Sequence, residues 1–322
     1  MDLIVQKFGG SSVRDAKHLR NVAAIIADSR RKGNALIVVL SAQGDTTDEL
    51  LGKACELSES PLPRELDALL AAGEQISVAL CAILLEEMGL PAVSLHGWQA
   101  GIRTEDVHGD ARILKIDRDR IERELGEGKI VLVAGFQGVD SKGDITTLGR
   151  GGSDTTAVAL AAAFSALRCE IYTDVDGVYT ADPRLVPRAQ KYTVIDSDEM
   201  LQLALCGAQV LHSRSVELAR DGKVALQVLS SLRPGSGTVV EPNRETGLPH
   251  LAGVTCHGGS LSLVGTGLSR VSDVPQRIFR CLCDAGIKAV NIEQSDRCIS
   301  VYIGEECAVS ALLAVHKEFF EQ

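Results

Sequence analysis

The run Thr147-Leu148-Gly149-Arg150-Gly151-Gly152-Ser153-Asp154-Thr155-Thr156-Ala157 packs glycines, an arginine, hydroxyl groups and an aspartate into one short stretch. It opens into Val158-Ala159-Leu160-Ala161-Ala162-Ala163-Phe164, which reads as a buried helix. Glycines let a backbone come close to a ligand. A helix start adds unpaired N–H donors and the positive end of a dipole, so the junction suits an anion. Arg150 adds a planar fork matched to a carboxylate or a phosphate. A second loop, Lys7-Phe8-Gly9-Gly10-Ser11-Ser12, follows the apolar run Leu3-Ile4-Val5. Beyond it, Leu19, Val22, Ala23 and Ile26 recur at helical spacing. Strand, glycine turn and helix make a phosphate cradle. It is not a Walker A loop, because the lysine precedes the glycines. A third feature is Gly73-Glu74, set among Ala71, Ala72, Ile76, Val78 and Ala79. A carboxylate buried there needs a partner, which makes Glu74 a candidate for binding a cationic group.

These side chains must be held by a scaffold, and the apolar pattern describes one. Ala35–Leu40 and Ile130–Ala134 are wholly apolar, as strands of a sheet covered on both faces are. Ala92–Leu95, Glu170–Tyr172 and Leu226–Leu229 read as further strands, with helical stretches between them. Alternation of this kind predicts an α/β sandwich of three layers, αβα, around a mostly parallel sheet. Ligands of such sheets sit outside the carboxyl ends of the strands. Lys7, the Ser41–Asp48 loop with Thr47, Arg150 and Asp174 all lie at such ends, so the loops are expected to face one crevice. The stretch from Pro234 to Gly247 is polar and rich in turn formers, which places a domain boundary there. We read 1–242 as one domain, 243–250 as a linker and 251–322 as a second domain. In the latter, strand, helix, two strands and a final helix (Val309 to Phe320) make most of a ferredoxin-like α+β module. Leu251–Cys256, just upstream, is the candidate for its missing strand.

Composition narrows the partners. The chain has 322 residues, 45% of them hydrophobic and 24% charged, which describes an ordinary globular protein. Its net charge of −10 argues against nucleic acid or an anionic membrane as a general partner. No uninterrupted apolar run approaches about 18 residues, so no transmembrane helix is expected. The N-terminus has no secretion-signal pattern, and nine scattered cysteines fit reduced thiols in a cytoplasmic protein. None of the seven histidines falls in a metal-ligand pattern, and no metal site is expected.

Lys7-Phe8-Gly9-Gly10-Ser11-Ser12-Val13, Gly149–Asp154 and the run Thr173-Asp174-Val175-Asp176-Gly177-Val178-Tyr179-Thr180-Ala181-Asp182-Pro183-Arg184 together resemble the aspartate kinases of the amino-acid kinase superfamily. The resemblance covers about residues 1–240, and the tail is similar to an ACT regulatory domain. It implies phosphorylation of the side-chain carboxylate of L-aspartate by ATP, towards lysine, threonine and methionine. A carboxylate is already deprotonated at neutral pH, so no general base is needed. Catalysis then rests on positioning and on offsetting phosphate charge. Mg²⁺ would arrive bridging ATP phosphates rather than in a protein cage.

By motif, Lys7 would neutralise the transferring phosphoryl group, with Phe8, Gly9 and Gly10 beside it and the glycines donating N–H groups. Arg150 would hold the α-carboxylate of aspartate and Glu74 its ammonium. Thr47, Gly151, Gly152 and Ser153 would complete the pocket, and Asp154 would orient Lys7. Thr173, Asp174, Tyr179, Asp182, Arg184 and Gln209 would line the ATP site. The family usually has lysine where this chain has Gln209, which predicts weaker ATP binding. It also commonly carries two ACT modules, and this tail has room for one. That implies pairing across a homodimer, with lysine or threonine as effector at Asn291 and Ile292. Two other functions fit the same residues: a kinase for another small amino-acid-like carboxylate, or a sensor without turnover.

Overall fold

Wholly apolar runs demand cover on both sides, and the computed structural model, which describes residues 1–242, 244 and 249–321, provides it. The chain begins with β1 (Leu3–Phe8), α1 (Gly10–Val13), α2 (Ala16–Arg31), β2 (Ala35–Leu40) and α3 (Thr46–Leu57). It continues through α4 (Pro63–Leu70), α5 (Ala72–Glu87), β3 (Ala92–Leu95), β4 (Ile102–Thr104) and β5 (Ile113–Ile116). Next come α6 (Asp119–Gly126), β6 (Ile130–Ala134), β7 (Gln137–Val139), β8 (Ile145–Thr147), α7 (Gly152–Ala163) and β9 (Arg168–Thr173). Then follow β10 (Val194–Asp196), α8 (Ser197–Leu205), α9 (Ser213–Asp221), β11 (Leu226–Ser230) and β12 (Thr238–Glu241). The tail holds β13 (His250–His257), β14 (Ser260–Thr266), α10 (Val274–Asp284), β15 (Asn291–Gln294), β16 (Cys298–Tyr302) and α11 (Ala308–Phe320). These elements form two compact units, Met1–Asp176 with Asp221–Gly235, and Gly177–Arg220 with Ser236–Gln322. The linker read at 243–250 falls mostly outside the described residues.

In the first unit the strands run β11-β9-β1-β2-β6-β3, all parallel. Alternate residues of each strand face opposite sides. Ile4, Phe8, Leu36, Val38, Leu40, Ile130 and Leu132 meet Leu19, Val22 and Ile26 of α2 and Val78, Cys81 and Leu85 of α5. The other face is covered by α7, packed on β1, β2 and β9, and by α6 on β6. The three expected layers are therefore present. Burying each large apolar side chain contributes roughly 2 kcal/mol. The Pro63–Glu87 helical stretch is long and apolar enough to cross a bilayer by length and composition, which the search for unbroken apolar runs missed. Here α5 packs on β3 and β6 with one face, and the stretch buries Asp67 and Glu74 to 1% and 3% exposure, while Ile76, Leu80 and Ile83 stay exposed on the other face. A small sheet, β5-β4-β7-β8, carries the chain into the glycine run.

The second unit contains the parallel pair β10–β12 and an antiparallel sheet ordered β13-β14-β16-β15. Val274, Ile278 and Leu282 recur every four residues, so one face of α10 joins the core with Leu263, Ile299, Val301, Leu312 and Val315. Strand β13 pairs with β14 along its length, supplying the strand sought upstream of the module.

Candidate active site

The carboxyl ends of β1, β2 and β6 and the start of α7 surround a cavity of about 600 Å³, within the range of roughly 300–1,000 Å³ usual for small-ligand sites. Lys7, Gly10, Thr47, Glu74, Arg150, Gly151, Gly152, Ser153 and Asp154 all line it. Three sequence-distant stretches thus meet in one place, as their positions at strand ends predict.

Lys7 leaves the end of β1 and its Nζ lies 2.6 Å from Asp154 Oδ1, with the two side chains only 12% and 14% exposed. So little water screens the pair that removing either partner would leave the other charge buried and uncompensated. Asp154 sits in the first turn of α7, where the helix dipole favours a negative charge. The carboxylate therefore fixes where the ammonium stands.

Glu74 is reached through a close approach. A Cβ on Gly73 would lie 2.7 Å from the Ala42 methyl, so only glycine lets α5 come this near the loop after β2. The approach brings the Ala42 N–H within 3.0 Å of Glu74 Oε1. Oε2 has no hydrogen-bond partner among the described residues. Burial pushes this carboxyl up to about 7, against the Ala42 N–H and the Lys7 charge, which favour ionisation. A buried acceptor facing a cavity awaits a donor from a ligand.

The glycine run turns at Gly149, whose φ is +71°, and a Cβ there would meet Asp110 Oδ1 at 2.6 Å. Arg150 stands exposed at the rim, while Ser153 is buried behind it. Phe136, after β6, also lines the cavity and holds a left-handed φ of +69°, uncommon for a bulky residue. Its N–H donates to Thr156 Oγ1 at 3.1 Å, and its carbonyl accepts from the Leu148 N–H at 2.8 Å. The sequence carries no signal for that conformation.

Asp67 of α4 was also missed. Its carboxylate is 1% exposed and accepts from Thr147 Oγ1 at 2.6 Å, Thr147 N at 3.1 Å and Gly109 N at 3.0 Å. His108 Nδ1 lies 2.9 Å away. One side chain thus ties the strand entering the Arg150 run to the loop that supplies Gly109 to the cavity wall. In sequence it is one acid among several on a helix, and only burial distinguishes it.

Some expected ligands have other duties. Phe8 is fully buried and stacks on Tyr172 with ring centroids 4.5 Å apart, so its side chain belongs to the core. Gly9 directs its N–H to the Tyr172 carbonyl at 3.3 Å, and of the two glycines Gly10 is the one that lines the cavity. Thr173 Oγ1 donates to Asp174 Oδ1 at 3.0 Å in an exposed loop of the first unit. Tyr179, Asp182, Arg184 and Gln209 belong to the second unit. There Arg184 clasps Asp182 through Nε and Nη2 at 3.0 and 2.8 Å, which lowers the Asp182 carboxyl below its usual range. Gln209 is exposed. Asn291 and Ile292 open β15, the edge strand of the antiparallel sheet.

Comparison with known proteins agrees with this geometry. Residues 2–230 match the model of the Amino acid kinase family, and residues 261–319 match an ACT domain. The chain is 50% identical over 297 residues to an aspartokinase of Geobacillus stearothermophilus, covering 92% of this chain and 73% of that protein. It is 55% identical over 241 residues to an aspartokinase of Bacillus sp. (strain MGA3), covering 75% of this chain and 59% of that protein. The chain thus spans about three-fifths to three-quarters of the length of these relatives. The structure of E. coli aspartokinase III in complex with aspartate and ADP superposes with a TM-score of 0.86, at 23% identity, covering 99% of this chain and 100% of that one.

Proposed function

The chain belongs to the amino acid kinase family, in its aspartokinase branch, and we propose the following division of labour for the reaction of that branch. ATP phosphorylates the side-chain carboxylate of L-aspartate, giving 4-phospho-L-aspartate and ADP. The observation that carries the substrate assignment is the pairing, in one cavity, of a buried carboxylate with an open acceptor and an arginine at the rim. Such a site selects a small molecule bearing both an ammonium and a carboxylate.

Glu74 takes the ammonium through Oε2, and Arg150 takes the α-carboxylate in fork geometry. Thr47, Gly151, Gly152 and Ser153 frame the remainder of the substrate. Lys7 offsets charge on the transferring phosphoryl group, and Asp154 holds its Nζ in place. The attacking carboxylate needs no base, and the lining residues include no histidine or cysteine that would act as one. Mg²⁺ enters with the nucleotide; it offsets phosphate charge when bound. In the first unit Gly10 and the Thr173–Asp174 loop serve the nucleotide. In the second, Tyr179, Asp182, Arg184 and Gln209 carry the nucleotide role that the resemblance implies. The domain division 1–242, 243–250 and 251–322 is kept as a proposal, supported by family matches that end at 230 and resume at 261. An ACT module with an open edge at β15 supports pairing of two chains and an amino-acid effector beside Asn291 and Ile292. A cytoplasmic location goes with this reading.

The test is ADP release with ATP and Mg²⁺, with and without L-aspartate, trapping the acyl phosphate as its hydroxamate. Hydroxamate should form only with aspartate. Lys7→Ala should lower kcat by on the order of a hundredfold or more, as loss of one preorganised charge-stabilising group does. Aspartate-independent ADP release, or hydroxamate from a panel of other acids in preference to aspartate, would overturn the assignment.

A further inference from the structure

Cys206 follows the last turn of α8 and Cys298 opens β16, and their Sγ atoms lie 3.3 Å apart. Both belong to the second unit. Cys298 is 7% exposed and Cys206 half-buried, so the residue at the helix end is the more accessible of the two. Gln202 Nε2 lies 3.4 Å from Cys206 Sγ, and Ser300 Oγ lies 3.3 Å from Cys298 Sγ. One of the two thiols donates to the other, and Gln202 Nε2 donates to Cys206 Sγ. These hydrogen bonds hold the Cys206 thiol below the usual range, against the effect of burial. The partner is pushed up, because it keeps the shared proton.

We propose that Cys206 and Cys298 form a peroxide-sensitive pair whose oxidation to a disulfide weakens nucleotide binding by the segment that follows Cys206. The Cys206 thiolate attacks a peroxide oxygen, the O–O bond breaks, and Cys206 becomes a sulfenic acid while hydroxide leaves. Cys298 then loses its proton and attacks the Cys206 sulfur. The S–O bond breaks, the S–S bond forms, and water leaves. The net change is two thiols and one H₂O₂ to one disulfide and two waters, with the sulfurs oxidised and the peroxide reduced. A disulfide requires the sulfurs to stand about 2.05 Å apart, so the pair closes by about 1.3 Å.

The consequence follows from what Cys206 precedes. Gly207 turns the chain with a φ of +97°, and the Ala208 N–H returns to the Leu203 carbonyl at 2.9 Å, which caps α8. The Cys206 carbonyl is held by Thr255 Oγ1 at 2.7 Å. Gln209 lies three residues on. Drawing Cys206 towards β16 pulls on this cap and displaces the segment that holds Gln209. That half of the inference rests on the nucleotide role proposed for Gln209; the formation of the bond does not.

The experiment uses the full chain, reduced, then treated with H₂O₂ and alkylated before a non-reducing tryptic digest. A cross-link should join the fragments 192–214 and 298–317, and it should persist in a Cys307→Ser background, which removes the second cysteine of the latter fragment. Binding of a non-hydrolysable ATP analogue, rather than turnover, is measured in parallel. It should weaken by on the order of tenfold, since a shift near 1 Å can cost that much, and recover with dithiothreitol. Cys206→Ser and Cys298→Ser should each abolish the link and the peroxide response. The inference is overturned if the exposed Cys55 and Cys283 oxidise while 206 and 298 do not join. A link that leaves analogue binding unchanged, or a response that survives in both serine variants, overturns it equally. Because the cross-link forms without nucleotide or aspartate, failure of the nucleotide or kinase assignment would not be mistaken for failure of the thiol pair.

Discussion

Glu74→Gln separates what Glu74 costs the fold from what it does for the substrate. Its carboxyl is raised from 4.5 to about 7 by burial. In the unfolded chain the same group titrates at its ordinary value. Between these values the folded state holds a proton that the unfolded state has released. The stabilisation linked to that proton is therefore complete below about pH 4.5 and is lost as pH rises through 7. A shift of about 2.5 units corresponds to roughly 3 kcal/mol, and the part lost between pH 5 and pH 8 is about 2.5 kcal/mol. Glutamine does not titrate, and any difference in its hydrogen bonds is the same at both pH values. Urea midpoints of the ligand-free protein should therefore show Glu74→Gln gaining about 2–3 kcal/mol on the parent between pH 5 and pH 8. Aspartate binding should show the opposite dependence. Only the ionised carboxylate pairs with an ammonium, so parental affinity should rise about tenfold from pH 6 to pH 8, and the variant should lose that slope. A stability difference independent of pH would refute the burial argument. An affinity slope that survives in the variant would refute the ammonium assignment.

Asp67→Asn should raise the KM for aspartate and lower kcat/KM by about tenfold or more, because the Thr147 and Gly109 hydrogen bonds to a buried carboxylate are weakened. Asp67→Glu should restore part of it in steady-state assays; an unchanged KM would mean that the clamp does not position the pocket. Gln209→Lys should lower the KM for ATP severalfold, since a charge-assisted hydrogen bond is worth about 1 kcal/mol more than a neutral one. If ATP titrations of the two proteins coincide, Gln209 takes no part in nucleotide binding.

The fold was legible where polarity left no choice. Ala35–Leu40 and Ile130–Ala134 could only be strands with both faces covered, and their order placed Lys7 and the Thr47 loop at carboxyl ends, whereas Arg150, expected at such an end too, follows β8 of the small sheet and leads into α7. Glu74 was legible for the same reason, as a charge in apolar surroundings. Asp67 was not, because its neighbours Arg64 and Glu65 look like any solvated helix face, and its partners lie 42 and 80 residues away. Phe136 was invisible because nothing in its side chain favours a left-handed backbone. Phe8 was assigned to the nucleotide by its place in a motif, whereas its ring answers to Tyr172 on the neighbouring strand. Pro63–Glu87 shows the limit of counting unbroken apolar runs. Its polar residues interrupt the run without interrupting the helix, and two of them are the buried acids that build the site.

Strand β13 bears on how this protein can be taken apart. The ACT match begins at residue 261, after β13, yet β14 is hydrogen-bonded to β13 on one side and to β16 on the other. A fragment cut at that match would lose Val254 from its core and leave β14 with a row of unpaired N–H and C=O groups beside exposed leucines. Such a piece would be sticky for reasons unrelated to its native partners, and its self-association would say nothing about a physiological dimer. A fragment starting at 249 keeps the strand and closes that edge. The boundary that matters for expression and for any measurement of effector binding is thus set by a hydrogen-bond ladder, and it lies upstream of where sequence similarity begins.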